Sequence, residues 1–187
     1  MKQLILASKS PRRQELLKLT GYPFTICESR AEELTYTDGA VCDYVMENAR
    51  RKALEVQKSF PDGIILGADT VVAFQNQILG KPKDEQDAFN MLNSLSGNIH
   101  EVYTGLCIAD GDDIICEYER SLVKFRELDH DEIKKYIASG EPLDKAGAYG
   151  IQGLAAVFVK EIKGDFYNIV GLPVCKVNQL LKERYHV

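Results

Sequence analysis

Leu6-Ala7-Ser8-Lys9-Ser10-Pro11-Arg12-Arg13 is the stretch on which the reading of this chain turns. Gln3 to Ala7 reads as a strand, and the chain then turns tightly into a helix that opens at Pro11. Proline suits a first helical position because the N–H it lacks would have no partner there. Ser10 is placed to cap that helix, and Gln14-Glu15-Leu16-Leu17-Lys18-Leu19 supplies strong helix formers. A helix start offers free N–H groups and a partial positive charge, which suits phosphate. Arg12 and Arg13 have the wrong sign for that end of the dipole, so an anion is expected to offset them. A solvated role for both arginines stays open here, because the stretch lacks the Gly-rich Walker pattern.

Length and charge narrow the classes. The 187 residues suffice for one sizeable core or two small lobes sharing a cleft. A net charge of −5 excludes holding a polynucleotide by bulk electrostatics, although local basic clusters still suit a small polyanion. No apolar run approaches the roughly 20 residues that span a bilayer. The apolar run after Lys2 ends within a few residues, so no signal peptide and no membrane partner are expected. Cys27, Cys42, Cys107, Cys116 and Cys175 form no CxxC pair and have no histidine at zinc-ligand spacing. They read as reduced, mostly buried small residues of a cytoplasmic protein. His100, His130 and His186 stand in no recognisable constellation, so a Ser-His-Asp hydrolase is not expected.

No repeat, low-complexity tract or linker interrupts residues 1–187, which therefore read as a single domain. Patterning predicts helices over 11–19, 41–59, 84–95, 130–139 and 173–185. It predicts strands over 3–7, 23–28, 64–74, 77–80, 100–109, 114–126, 155–162 and 166–171. Asp84 opens the third helix, Asp129 with Glu132 resembles a capping box, and Gly140 ends the fourth. Gly111-Asp112-Asp113 and Lys163-Gly164-Asp165 read as hairpin turns. Helices interleave with strands early and hairpins dominate later, which gives an α/β to α+β protein with a mixed sheet.

Ile64-Ile65-Leu66-Gly67-Ala68-Asp69-Thr70-Val71-Val72-Ala73-Phe74 is a buried-strand pattern with one carboxylate in its middle. Aspartate is rarely buried without a partner, so Asp69 is a candidate metal ligand or general base. The other reading is a turn cap, with Gly67 making a bulge. Lys81, in Leu79-Gly80-Lys81-Pro82, is a lysine held at a turn that Pro82 stiffens. On the 41–59 helix Cys42, Val45, Met46, Ala49, Ala53 and Val56 make one apolar arc, and Lys52 lies at its edge. From there its ammonium either reaches inward or snorkels to water. Leu143 to Gly153 carries Gly147, Gly150 and Gly153 around Tyr149 and Gln152, a loop whose backbone can approach a ligand closely. Gln152 offers donor and acceptor in one group, able to read a nucleobase edge. Glu32-Glu33 supplies a candidate second carboxylate for metal.

Together these segments resemble the Maf family of nucleoside-triphosphate pyrophosphatases. The family pattern S-x-S-P-R-R stands here as Ser8 to Arg13, G-A-D-T-V as Gly67 to Val71, and G-K-P as Gly80 to Pro82. D-K-A-G-A-Y-G-I-Q-G is Asp144 to Gly153, and G-D-[FY]-x-x-[IV]-x-G-L-P is Gly164 to Pro173. The resemblance implies an elongated Maf/ITPase-like mixed α/β sheet with flanking helices and two lobes around a central cleft. It implies cleavage of a nucleoside triphosphate to the monophosphate and pyrophosphate with a divalent cation, Mg²⁺ or Mn²⁺, and a homodimer. By match, Asp69 is the proton acceptor, with Lys52 and Lys81 catalytic, Ser8 and Arg13 at the phosphates, and Asp69 and Glu32 on the metal. Arg12, Thr70 and Gln152 fall at the positions that separate the family's branches, and they look like the branch acting on dTTP and UTP. A nucleotide-sensing regulator is the competing class. It would need cations for phosphate, but no lone carboxylate aimed at the same place.

Overall fold

The structure, a computed structural model, describes residues 2–185. Its elements in chain order are β1 (Leu4–Leu6), α1 (Pro11–Lys18), β2 (Phe24–Ile26), α2 (Val41–Gln57), β3 (Ile64–Phe74) and β4 (Gln77–Leu79). There follow α3 (Glu85–Leu95), β5 (Ile99–Asp110), β6 (Asp113–Phe125), α4 (His130–Ile137), β7 (Val159–Lys163), α5 (Phe166–Val170) and α6 (Val174–Tyr185). The strands order as β2-β1-β3-β5-β6-β7, with β4 on β3. The sheet is mixed, as the sequence predicts. No described helix is long and apolar enough to cross a membrane.

The chain packs as two compact units, Met1–Thr70 with Thr104–Glu119 and Gly171–Val187, and Val71–Tyr103 with Arg120–Val170. No linker marks the division because it falls inside strands β3, β5 and β6, each of which continues from one unit into the other.

In the first unit β1 pairs in parallel with both β2 and β3, and α1 and α2 are the crossovers that parallel pairing requires. Ile5, Ile65, Cys107 and Ala109 from the strands and Ala7 just after β1 bury against Ala49, Ala53 and Val56 of α2. Two glycines let that helix lie unusually close. A Cβ on Gly67 would sit 2.2 Å from the Ala49 carbonyl oxygen, and one on Gly105 2.2 Å from that of Val45. Gly67 thus makes room for a helix, and this close packing brings α2 within side-chain reach of the middle of β3. Of the cysteines only Cys107 is buried, which corrects the expectation that most are; Cys27, Cys42 and Cys116 are half-buried and Cys175 is exposed.

In the second unit β4 pairs antiparallel with β3 through a turn at Gln75 and Asn76, both at positive φ. Asp84 caps α3 by accepting from Asp87 N–H at 2.8 Å, and Asp129 caps α4 by accepting from Glu132 N–H at 2.8 Å. The Glu132 carboxylate in turn accepts from the Asp129 backbone N–H, which completes the capping box, and from Arg126. His100, Phe125, Tyr149, Phe158 and Tyr136 pack edge to face as one aromatic cluster.

Two predicted strands differ. Residues 154–158 form a 3-10 turn, so only Val159–Lys163 is strand. Residues 166–170 are helix α5, not strand, and Gly164-Asp165 leads into it instead of closing a hairpin. Aromatic and β-branched residues favour the extended reading there, but tertiary partners override them. Asp165 accepts from Tyr167 N–H at 2.7 Å, and buried Asn168 donates to the Val102 carbonyl at 3.0 Å and to Ser121 Oγ at 2.9 Å.

Candidate active site

Asp69 lies in the middle of β3, buried, in a sequence that otherwise supplies only apolar or small side chains to that stretch. Both of its carboxylate oxygens have donors from α2. Lys52 Nζ donates to Oδ1 at 2.7 Å, and Asn48 Nδ2 donates to Oδ2 at 3.2 Å. The Lys52 ammonium also donates to Glu33 Oε1 at 2.6 Å, so it reaches inward and does not snorkel. Glu33, not Glu32, is therefore the acid that the structure brings to Lys52; Glu32 is exposed beside it.

Successive residues on a strand face opposite ways, and Thr70 accordingly makes a different set of contacts from Asp69. Thr70 Oγ1 accepts from Arg13 Nη2 at 3.0 Å and shares a 2.8 Å hydrogen bond with Thr104 Oγ1. Arg13 Nε donates to the Gly171 carbonyl at 2.9 Å and Nη1 to Ser8 Oγ at 3.3 Å. Burial pushes the Arg13 guanidinium below its ordinary pKa, and the negative charges of Asp69 and Glu33 act the other way. Three of its five N–H donors are engaged by these partners. Ser10 caps α1 with a long contact from Arg13 N–H, and Ser8 Oγ accepts from Ser10 N–H at 3.2 Å. Arg12 stands exposed in the first turn of α1.

Lys81 and Gln152 belong to the second unit and are both exposed. There Gly147 N–H donates to the Gly80 carbonyl at 3.1 Å, which ties the Lys81 turn to the loop of Gln152. Two glycines of that loop make room for side chains of the same unit. A Cβ on Gly150 would meet the Lys145 stem at 2.7 Å, and one on Gly153 the Glu141 carboxylate at 2.2 Å.

Sequence reasoning missed Asn48, Tyr44 and Thr104. Asn48 and Tyr44 were legible as the residues four and eight before Lys52 on the same helical stripe. Thr104 carried no signal, since it reaches Thr70 only through strand pairing.

A family model described as Maf-like protein matches residues 3–184. A dTTP/UTP pyrophosphatase of Bacillus cereus (strain ATCC 10987 / NRS 248) is 51% identical over 183 residues, which is 98% of this chain and 90% of that protein. A dTTP/UTP pyrophosphatase of Bacillus anthracis is 49% identical over 98% of this chain and 96% of its own length. The solved structure of a HAM1 protein from Coxiella burnetii covers 98% of this chain and 100% of its own with a TM-score of 0.54 at 11% identity, a likeness of fold alone.

Proposed function

As the chain belongs to the Maf-like family, we propose that it hydrolyses dTTP and UTP to the nucleoside monophosphate and pyrophosphate, with residues 1–187 acting as one functional domain. The observation that carries the reading is Asp69, a buried carboxylate whose two oxygens are held by Lys52 and Asn48. A protein that only senses triphosphates has no use for an oriented carboxylate beside its cations. The relatives that are about half identical over nearly the whole chain bear the same activity in their names.

In this reading Asp69 accepts the proton of the water that attacks phosphorus. Lys52 holds the Asp69 carboxylate in place and adds positive charge where the transition state gains negative charge. Arg13, kept rigid by Ser8, Thr70 and Gly171, offers its guanidinium to phosphate oxygens, and the first turn of α1 adds Arg12. Lys81 is assigned to the phosphates and Gln152 to the base on resemblance. Pyrophosphate is a good leaving group once its charge is neutralised, so no covalent nucleophile is needed.

A divalent cation belongs to the proposal. Asp69 and Glu33 both reach the Lys52 ammonium, so two hard oxygen donors face one small region, and Glu32 adjoins it. Among the described residues no three carboxylate, histidine or cysteine side chains gather to cage an ion. That donor set fits Mg²⁺ or Mn²⁺, which are commonly held by one or two carboxylates together with substrate phosphates. When bound, the ion would offset phosphate charge. Asp69 with Glu33 or Glu32 would hold it.

Cytoplasmic location, with five thiols, and a homodimer complete the reading. Pyrophosphate release from a panel of nucleoside triphosphates, with and without excess chelator, tests it. dTTP and UTP should be the best substrates and chelator should abolish turnover. Faster cleavage of purine triphosphates would overturn the base assignment, full activity in chelator would remove the metal, and tight binding without release would favour a sensor.

A further inference from the structure

We propose that Asn48 is a positioning residue of the reaction, one that fixes the plane of the Asp69 carboxylate; this rests on the pyrophosphatase reading. An aspartate carboxyl turns easily about its last torsion, whose preferences are broad and nearly two-fold. Lys52 alone would not stop that rotation, because its ammonium sits on a flexible stem and is shared with Glu33. Asn48 supplies the missing constraint from a short, buried side chain on a helix packed hard against β3.

The amide itself has one orientation. Its Oδ1 accepts from Leu34 N–H at 2.9 Å, so Nδ2 must face Asp69. Leu34 is held from its other side as well, since Tyr44 Oη donates to the Leu34 carbonyl at 2.9 Å. Tyr44, Asn48 and Lys52 therefore grip both backbone groups of the residue after Glu33, the Glu33 carboxylate, and both oxygens of Asp69. Asn48 is buried, so any contribution it makes to turnover passes through the groups it holds, Asp69 and the Leu34 backbone.

Two variants separate this role from a structural one. Asn48→Asp keeps an acceptor for Leu34 N–H but replaces the donor to Asp69 with an acceptor. Asn48→Ser removes both bonds while leaving room for water. Because displacements near 1 Å in a reacting group can cost about a hundredfold, kcat for dTTP should fall thirtyfold or more in both variants, with KM within threefold of the parent. Crystal structures of the parent and of Asn48→Ser give the second readout. The parent should show Asp69 on Lys52 and Asn48, and the variant a rotated carboxylate. Parental kcat in Asn48→Asp with a loss confined to Asn48→Ser would mean that Asn48 only clamps the loop, and would overturn the proposal. So would an unchanged Asp69 rotamer in Asn48→Ser. Should the parent release no pyrophosphate at all, the pyrophosphatase reading fails, and the Asp69 rotamer still decides whether Asn48 orients it. If Asn48→Asp does not fold, the kcat and the crystal structure of Asn48→Ser decide.

Discussion

Lys52 and Asp69 form an ion pair at 2.7 Å in which both side chains are nearly buried, at 14% and 10% exposed. Their dependence on each other is unequal. Lys52 has a second partner in Glu33, which is mostly exposed, whereas without Lys52 the Asp69 charge keeps only the Asn48 amide. Removing one partner of a buried pair costs most where the other is left uncompensated. Lys52→Met should therefore lower stability by about 2–3 kcal/mol, and Asp69→Asn by about 1 kcal/mol or less. The double variant should be more stable than the sum of the two losses predicts. Urea unfolding of the four proteins at pH 7 checks this; equal losses in the two single variants would refute the asymmetry.

Activity should respond in the opposite proportion. Asp69→Asn keeps the shape of the side chain and loses the proton acceptor, so pyrophosphate release should drop about a hundredfold or more in a protein that remains folded. Turnover within a few-fold of the parent would show that Asp69 is not the base.

Gly67 and Gly105 should tolerate no side chain. At each, an added Cβ would meet the backbone of α2 at 2.2 Å, and backbone cannot swing aside as a flexible side chain can. Gly105→Ala should cost at least about 1–3 kcal/mol by overpacking. It should also reduce turnover, since α2 carries Asn48 and Lys52. Gly80→Ala, where nothing lies within 4 Å of the added carbon, is the control and should melt as the parent does. Thermal midpoints of the two variants distinguish the cases.

Gly67 marks the boundary between what was legible in the sequence and what was not. Strand β3 was legible from its apolar run, α1 from Pro11 and Ser10, and the candidate residues Asp69, Lys52 and Arg13 from their chemistry in that context. What was not legible is what depends on distant partners. A bulge stood as one alternative for Gly67 because the helix it accommodates is brought to it only by folding. Residues 166–170 read as strand because the bonds of Asn168 to Val102 and Ser121 outweigh the preferences of Phe166, Tyr167, Ile169 and Val170. Glu32 and Glu33 are indistinguishable in sequence, and only the path of the loop turns Glu33 to Lys52.

His100 predicts a pH dependence of stability. It is buried, shares a 2.8 Å hydrogen bond between Nε2 and the Tyr149 hydroxyl, and has no partner at Nδ1. Burial lowers its pKa to about 4, against an ordinary 6.5. The unfolded chain therefore binds a proton that the folded chain refuses between these values. The associated stability is complete above pH 6.5, falls as the pH drops toward 4, and is lost below it, a total of about 3 kcal/mol. His100→Phe should be less stable at pH 7, because Tyr149 loses its partner, but should show a shallower decline from pH 7 to 4. Parallel stability curves for parent and variant would exclude the effect.

Glu141 should govern the loop that carries Gln152. Its Oε1 accepts from the Tyr136 hydroxyl at 3.0 Å and its Oε2 from Leu154 N–H at 3.0 Å, while Gly153 leaves the space the carboxylate fills. One side chain thus joins the end of α4 to the residue two beyond Gln152. Glu141→Ala removes both acceptors and opens a gap under Gly153, whereas Glu141→Gln keeps one acceptor and most of the volume. If Gln152 reads the pyrimidine edge, Glu141→Ala should raise KM for dTTP and UTP about tenfold or more and narrow the preference over purine triphosphates, with kcat less affected. Losing good hydrogen bonds to a base is worth more than the methyl that separates thymine from uracil, which accounts for about 1–3 kcal/mol. Glu141→Gln should recover most of the selectivity. A KM for dTTP that is unchanged in Glu141→Ala would separate the Gln152 loop from base recognition.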